Sequence, residues 1–387
     1  MTRVPTVSLP KSLESVLLAG HPWIYRDQLP KDFRVAHGSW VRAICGRFEG
    51  YALFDGDSAL ALRVFSRVQV PDEAWLTARV HEAWVAREPV RATATSAFRW
   101  LAGEGDSLPG VIADYYAGFV VLVLDSPVLS PLVAQLSRAL ASATGLSGIL
   151  LRTRDGSEPR VVWGKRPPAD WVIRENDIQL RANLWEGQKT GLFLDHRENR
   201  RLLEGWCSGK RVLNLFSYSG GFSLYALRGG AELVVNVDAA PQAQRDAEAN
   251  VKLNGFELAR CRFETRDVFA YLEQLRQQNE RFDVVVCDPP SFARNQSQLR
   301  RALAAYERVN AAGLKVISSG GMYAAASCTA RVTPALFLQM LANSARRAKR
   351  RLQVVQERGQ ALDHPYQAVH SEGRYLKFVL SRALERV

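Results

Sequence analysis

Phe282-Asp283-Val284-Val285-Val286-Cys287-Asp288-Pro289-Pro290-Ser291-Phe292 is an apolar run closed by an acid, two prolines and an aromatic ring. A short apolar run of this kind, bounded by turn residues, reads as a strand buried on both faces, as in parallel sheets. Two prolines fix φ just past the strand end. A backbone stiffened there can present carbonyls and an aromatic face to a flat ring. The bland alternative is a proline-rich turn between a strand and a helix, with no chemistry.

The same pattern extends on both sides of this stretch. Strands are expected at residues 211–215, 233–237, 261–265, 282–287 and 321–326, with helical spacing between them. Runs at 352–357 and 374–380 would complete a seven-stranded sheet. Such alternation implies an α/β domain with a mostly parallel, Rossmann-like sheet and a ligand at the carboxyl ends of its strands. Upstream, residues 4–9, 39–45 and 59–65 read as short strands separated by Gly38, Gly46, Gly50 and Gly56, a small β-barrel of a size used for RNA binding. Residues 72–90 have helical spacing (Trp75, Val80, Ala83, Trp84). Strands follow at 98–101, 110–115 and 119–124, then a helix at 131–143 and a strand at 148–154. A turn-rich segment at 166–170 leads into the last domain. The expected division is a barrel over 1–70, a central α/β domain over 71–180 and the Rossmann-like domain over 181–387.

Composition bounds the function. The chain has 387 residues, 47% hydrophobic and 23% charged, enough for two or three domains with cores of their own. No apolar stretch reaches the ~20 residues of a membrane span, and the N-terminal residues lack the apolar core of a signal peptide, so a cytoplasmic location is expected. The five cysteines (Cys45, Cys207, Cys261, Cys287, Cys328) are scattered, with no Cys-x-x-Cys pair. That argues against a disulfide framework and a structural zinc, and no metal is expected. A formal charge of +12 favours a polyanionic partner, since each neutralised phosphate releases counterions.

The first strand of the expected sheet runs into Phe216-Ser217-Tyr218-Ser219-Gly220-Gly221-Phe222. Small residues at 217 and 219–221 let the backbone approach a ligand and open a helix N-terminus. Phe216, Ser217, Tyr218, Ser219 and Gly220 are the candidates to line that site. Asp238 closes the second strand, placed to accept both ribose hydroxyls of a nucleoside, and Asp267 follows the third, placed for an adenine amino group. The Gly-x-Gly-x-x-Gly spacing that a dinucleotide pyrophosphate needs is missing. Three stations at successive strand ends, followed by Asp288-Pro289-Pro290, fit S-adenosylmethionine better. Just upstream, Glu186 to Arg200 is rich in polar groups; Lys189 and Thr190 are candidate cofactor contacts, and Phe193 can pack on the adenine or ribose. Blander roles there are Asp195 as a helix N-cap and Arg200 on a solvated face.

Taken alone, the Asp-Pro-Pro loop points to methylation of a ring amine. Another strand, however, ends in Ser327-Cys328-Thr329, beside the Asp288 strand in this topology. A thiolate adding to carbon 6 of a cytosine activates carbon 5 as a nucleophile. Position alone leaves open a buried cysteine in a strand cap.

These segments, with Gly20-His21-Pro22-Trp23, Gly105-Asp106-Ser107-Leu108-Pro109-Gly110, Gln188 to Arg197 and Asp363-His364-Pro365, resemble the bacterial 23S ribosomal RNA cytosine-5 methyltransferases with an N-terminal PUA domain, over essentially the whole chain. The resemblance implies a PUA barrel, a central domain and a Rossmann-like methyltransferase domain, with Cys328 as nucleophile. It implies no second cysteine in the Asp-Pro-Pro loop, and dimers are frequent in the family. Thr329 departs from the usual Ser-Cys-Ser but keeps the hydroxyl. Asp288 would orient the cytosine at ring nitrogen 3. His21 can stack on bases, whereas Trp23 reads as packing. Arg294, Arg300, Arg301 and Arg308 follow the loop and can hold phosphates, or form a basic solvated helix. The expected partner is 23S ribosomal RNA or a ribosomal particle, with a homodimer possible. Alternatives are a guanine N-methyltransferase on the same scaffold and a non-catalytic ribosome-assembly factor that binds RNA.

Overall fold

A computed structural model describes residues 4–153, 157–292 and 296–385. The chain divides into two compact units, one of Met1–Ile173, Ala182–Leu194 and Leu362–Gly373, the other of Arg174–Arg181, Asp195–Ala361 and Arg374–Val387.

The first unit carries two five-stranded sheets. One has the order Thr6–Ser8, Trp40–Cys45, Phe48–Phe54, Leu60–Ser66, Trp23–Tyr25. Its residues alternate between buried and half-buried along Trp40–Cys45, so one face closes on a core of Val7, Ile24, Val41, Phe48 and Leu62. The second sheet has the order Arg160–Gly164, Gly148–Thr153, Phe119–Leu124, Val111–Tyr116, Ala97–Ala102. Helices Glu73–Ala86 and Val133–Ala143 bury Leu76, Val80, Leu136 and Leu140 in its core, which also takes in Leu53 and Phe65 of the first sheet. Asp72 starts the first helix by accepting the Trp75 N–H at 2.8 Å. The expected 131–143 helix is split: Pro127–Leu132 is a 3-10 turn, and the α-helix proper starts at Val133.

The second unit is built on a seven-stranded sheet. Its strands are β1 (Arg211–Leu215), β2 (Leu233–Asp238), β3 (Cys261–Thr265), β4 (Phe282–Cys287), β5 (Ile317–Ser327), β6 (Arg350–Arg358) and β7 (Lys377–Glu385), in the order β3-β2-β1-β4-β5-β7-β6. The first five are parallel and β7 is antiparallel to both neighbours, so the sheet is mostly parallel as the alternation implied. Val284, Val285 and Val286 are all buried, which explains an apolar run without alternation. The order reverses between β1 and β4, placing the ligand crevice where their loops diverge. Strand β5 is longer than expected, with an irregular register opposite Phe282 to Val284 and Gly320 at φ +79°.

One element escaped the sequence reading. Trp171–Glu175 and Ile178–Ala182 form a two-stranded hairpin, turned by Asn176 and Asp177 at φ +48° and +66°. Two readings upstream of β1 are corrected. Arg200 is buried rather than solvated, forming a bidentate pair with Glu175 at 2.8 and 2.6 Å. Asp195 does not cap the following helix, whose N-cap is His196; its carboxylate accepts the Tyr375 hydroxyl at 2.7 Å.

Candidate active site

The loop after β1 turns sharply. Phe216, Tyr218 and Gly220 all have positive φ (+57°, +45° and +80°). Left-handed backbone at two aromatic residues is uncommon and concentrates at ligand sites. A Cβ on Gly220 would lie 3.1 Å from that of Ala247, so the turn also needs a bare backbone. The Ser217 N–H donates to the Val237 carbonyl at 3.0 Å, and the Ser219 carbonyl accepts the Asn250 amide at 2.9 Å. Asp238 accepts the Tyr218 N–H at 3.0 Å and the Ala240 N–H at 2.9 Å. Its carboxylate thus braces the tips of β1 and β2, with lone pairs left for a ligand hydroxyl. Asp267 is exposed and N-caps the helix Val268–Gln277 by accepting the Ala270 N–H at 3.0 Å. Small residues, open backbone and acids at the ends of β1, β2 and β3 fit S-adenosylmethionine.

Lys189, Thr190 and Phe193 belong to the first unit. The Thr190 hydroxyl is buried, donating to Asp114 at 2.6 Å and bonded to the Tyr116 hydroxyl at 2.8 Å. The Lys189 ammonium lies 4.4 Å from the Phe193 ring centroid.

The second half of the site lies at the ends of β4 and β5, where Cys287 pairs with Ala325. The Thr329 hydroxyl bonds both the Ser291 hydroxyl at 2.9 Å and the Tyr306 hydroxyl at 2.8 Å. One side chain therefore ties the Asp288 loop to the Cys328 loop, and helix Leu299–Lys315 carries the third partner. Asp288 is 23% exposed, with a carboxylate oxygen 3.3 Å from His196 Nε2. The Asn199 amide donates to the Gly359 carbonyl at 3.2 Å, and the same nitrogen is 3.1 Å from His196 Nδ1. Nδ1 is then the acceptor, and a neutral His196 carries its proton on Nε2, facing Asp288. Phe222 and Phe378 pack on the His196 ring.

Lys377 begins β7 opposite Ser327 and is only 3% exposed. Its ammonium donates to the carbonyls of Thr329 at 2.6 Å and Tyr375 at 2.7 Å. Burial pushes it down from the ordinary 10.5 to about 8, opposed by the negative charge of an ionised Cys328. Cys328 itself is half-buried. The other four thiols are pushed up by burial: Cys45 above its ordinary value, Cys261 to about 11, and Cys207 and Cys287 to about 12. Cys287 is fully buried in the core beneath the Asp288 loop.

Of the expected RNA contacts, Arg300, Arg301 and Arg308 are exposed on helix Leu299–Lys315, with the Arg308 guanidinium 4.5 Å from the Phe269 ring centroid. Arg294 lies outside the described residues. His21, in the first unit, is half-buried, edge-on to Trp23 and His370. Sequence reasoning missed His196, Asn199, Tyr306 and Lys377. His196 sat in a segment already singled out as polar; Lys377, inside the expected 374–380 run, gave no signal.

A family model described as S-adenosylmethionine-dependent methyltransferase matches residues 126–366, and one for a PUA-like domain matches residues 7–67. The ribosomal RNA large subunit methyltransferase I of Aeromonas salmonicida (strain A449) is 34% identical over 97% of this chain and 99% of its own length. Its namesake from Tolumonas auensis is 34% identical over 98% of this chain and 99% of its own. A solved structure from Streptococcus mutans, assigned as a SAM-dependent methyltransferase, shares the fold at a TM-score of 0.88 and 22% identity, covering 98% of this chain and 100% of that one. With a cofactor cradle at β1 to β3 and full-length likeness to these relatives, the chain belongs to the S-adenosylmethionine-dependent methyltransferase family, among the ribosomal RNA large subunit methyltransferase I proteins.

Proposed function

We propose that this chain makes 5-methylcytosine in 23S ribosomal RNA through a covalent bond between Cys328 and the base. The observation that carries this reading is the coupling of the two loops: Thr329 joins the Cys328 loop to the Asp288 loop, and the Lys377 ammonium is bonded to the Thr329 carbonyl. A guanine amine needs neither the cysteine nor a cation beside it. The positive charge of Lys377 favours the thiolate of Cys328. That thiolate adds to carbon 6, forming a carbon–sulfur bond and moving electron density to carbon 5. Asp288, oriented by His196, meets ring nitrogen 3 through a proton that its carboxyl group donates there, which offsets the charge building on the ring. S-adenosylmethionine, held by the 216–220 loop, Asp238 and Asp267, supplies the electrophilic methyl group. A base takes the carbon 5 proton, the electron pair of that bond expels the thiolate from carbon 6, and the aromatic ring and the enzyme are restored.

The base must leave any stack to reach these loops, at a cost of about a few kcal/mol. In this reading residues 1–70 and 71–180 bind RNA and residues 181–387 carry the chemistry. Arg300, Arg301 and Arg308 offer exposed positive charge for phosphates beside the loop. A cytoplasmic location and a homodimer complete the proposal; among the described residues no helix is long and apolar enough to cross a membrane.

The test uses ribosomal RNA from cells lacking the gene, the full chain and labelled cofactor, with products read by nucleoside mass spectrometry. The expected product is 5-methylcytosine, and Cys328→Ser abolishes it while cofactor affinity stays unchanged. Full activity in that variant overturns the mechanism. A methylguanine product supports N-methylation instead, and no transfer to naked RNA or particles supports a non-catalytic factor.

A further inference from the structure

His370 is a buried titratable group that the chemistry above does not use. It is 2% exposed, and neither ring nitrogen has a hydrogen-bond partner among the described residues. A neutral imidazole has one donor and one acceptor, and burying both without partners is costly. Two further groups face it within the first unit. Ligand atoms of His21, His370 and Glu372 all lie within 4.8 Å of one another, and His370 Nε2 is 3.8 Å from a Glu372 carboxylate oxygen. The Trp23 ring packs edge-on at 4.3 Å between centroids, which fixes the His370 ring plane. Gly373 lets the chain close here, since a Cβ on it would lie 2.6 Å from that of Tyr366 and 3.3 Å from His370 Nδ1.

We propose that His21, His370 and Glu372 form a divalent-cation site, with zinc as the ion its donors suit, which staples the Gly20–Trp23 turn to the 362–373 segment from the other end of the chain. Two imidazoles and one carboxylate form a three-ligand zinc set, and the exposed Glu372 side leaves a fourth position for water. The ligand atoms are somewhat wider apart than bonds of ~2.0–2.2 Å require, so small side-chain rotations close the site. His21 Nδ1 accepts the Trp23 N–H at 3.3 Å, a long bond that rotation of the ring can exchange. The scattered cysteines gave no zinc signature because this set uses none of them.

The full-length protein, stripped with a chelator and dialysed, is titrated with zinc against a chromophoric chelator, and separately with cobalt(II) read by its visible spectrum. The expected result is one equivalent of zinc at micromolar affinity or tighter, a tetrahedral cobalt spectrum, and a melting temperature raised by zinc. Glu372→Gln, an exposed and conservative change, weakens binding at least tenfold and removes the thermal shift; His370→Gln does the same. Absence of stoichiometric binding overturns the proposal. So does binding that is unchanged in Glu372→Gln, which would place the metal elsewhere on the chain.

Discussion

Lys377 shows how one side chain links stability to chemistry. Its ammonium is enclosed by the Thr329 and Tyr375 carbonyls, and burial pushes its pKa from the ordinary 10.5 down to about 8. The folded state therefore gives up this proton more readily than the unfolded chain. Between pH about 8 and 10.5 the unfolded state binds more protons, so stability rises with pH across that window and is lost as pH falls through about 8. Lys377→Met should flatten this slope in urea unfolding measured at several alkaline pH values. The same variant removes the positive charge that favours the Cys328 thiolate. Alkylation of Cys328 by iodoacetamide should then need a higher pH for the same rate. An unchanged alkylation profile would mean that the lysine only fills space. None of this was legible in sequence: the expected run at 374–380 places Lys377 inside a strand with nothing to mark it, and only the antiparallel pairing of β7 with β5 brings it to Ser327.

At the scale of elements, the parallel strands were legible because burial on both faces leaves a plain chemical trace in runs such as Val284 to Val286. The Trp171–Glu175 hairpin strand was not, because its apolar run is only Trp171-Val172-Ile173 before two charged residues, and its turn uses Asn176-Asp177 rather than glycine. That hairpin matters for helix Arg197–Glu204. Glu175 at the strand end and Arg200 on the helix form a bidentate ion pair, both buried, and the Tyr225 hydroxyl donates to the same carboxylate at 3.0 Å. In sequence each half reads as an ordinary surface charge, since the partner is supplied only by folding. Removing one member of such a pair strands the other charge in a poorly solvated place. Arg200→Met should destabilise the fold by about 3–5 kcal/mol, read as a fall in the urea midpoint. Arg200→Met combined with Glu175→Leu should recover much of that loss. A single variant as stable as the parent would show that water reaches the pair.

At the scale of the molecule, the motifs that carried the family resemblance do different work in different places. Those around Phe216–Phe222, Asp288–Phe292 and Ser327–Thr329 lie at the carboxyl ends of the neighbouring central strands β1, β4 and β5. Gly20–Trp23, Gly105–Gly110 and Asp363–Pro365 instead hold the first unit together. The Trp23 indole donates to Glu104 at 2.9 Å. Arg87 forms a bidentate pair with Asp106 at 2.7 and 2.6 Å and also donates to the Asp363 carbonyl at 3.2 Å, while Asp363 accepts the Arg99 N–H at 2.7 Å. A motif in sequence marks a position where few residues work, whether the reason is chemistry or close packing. Gly105 is the sharpest example of packing. A Cβ there would lie 2.1 Å from the Pro365 carbonyl oxygen, a backbone atom that cannot swing away as a side-chain tip can. Gly105→Ala must therefore push the 362–373 segment off its seat and strain the Arg87 and Arg99 bonds to Asp363. The expected cost is about 1–3 kcal/mol, typical of overpacking. Because the strain is local, protease cleavage should appear first within 362–373, ahead of global unfolding on heating. Ser107→Ala, in the same motif and at φ +61°, tests backbone strain without that clash and should leave the 362–373 segment protected. If both variants open that segment equally, the motif is conformational rather than a contact surface for the 362–373 chain.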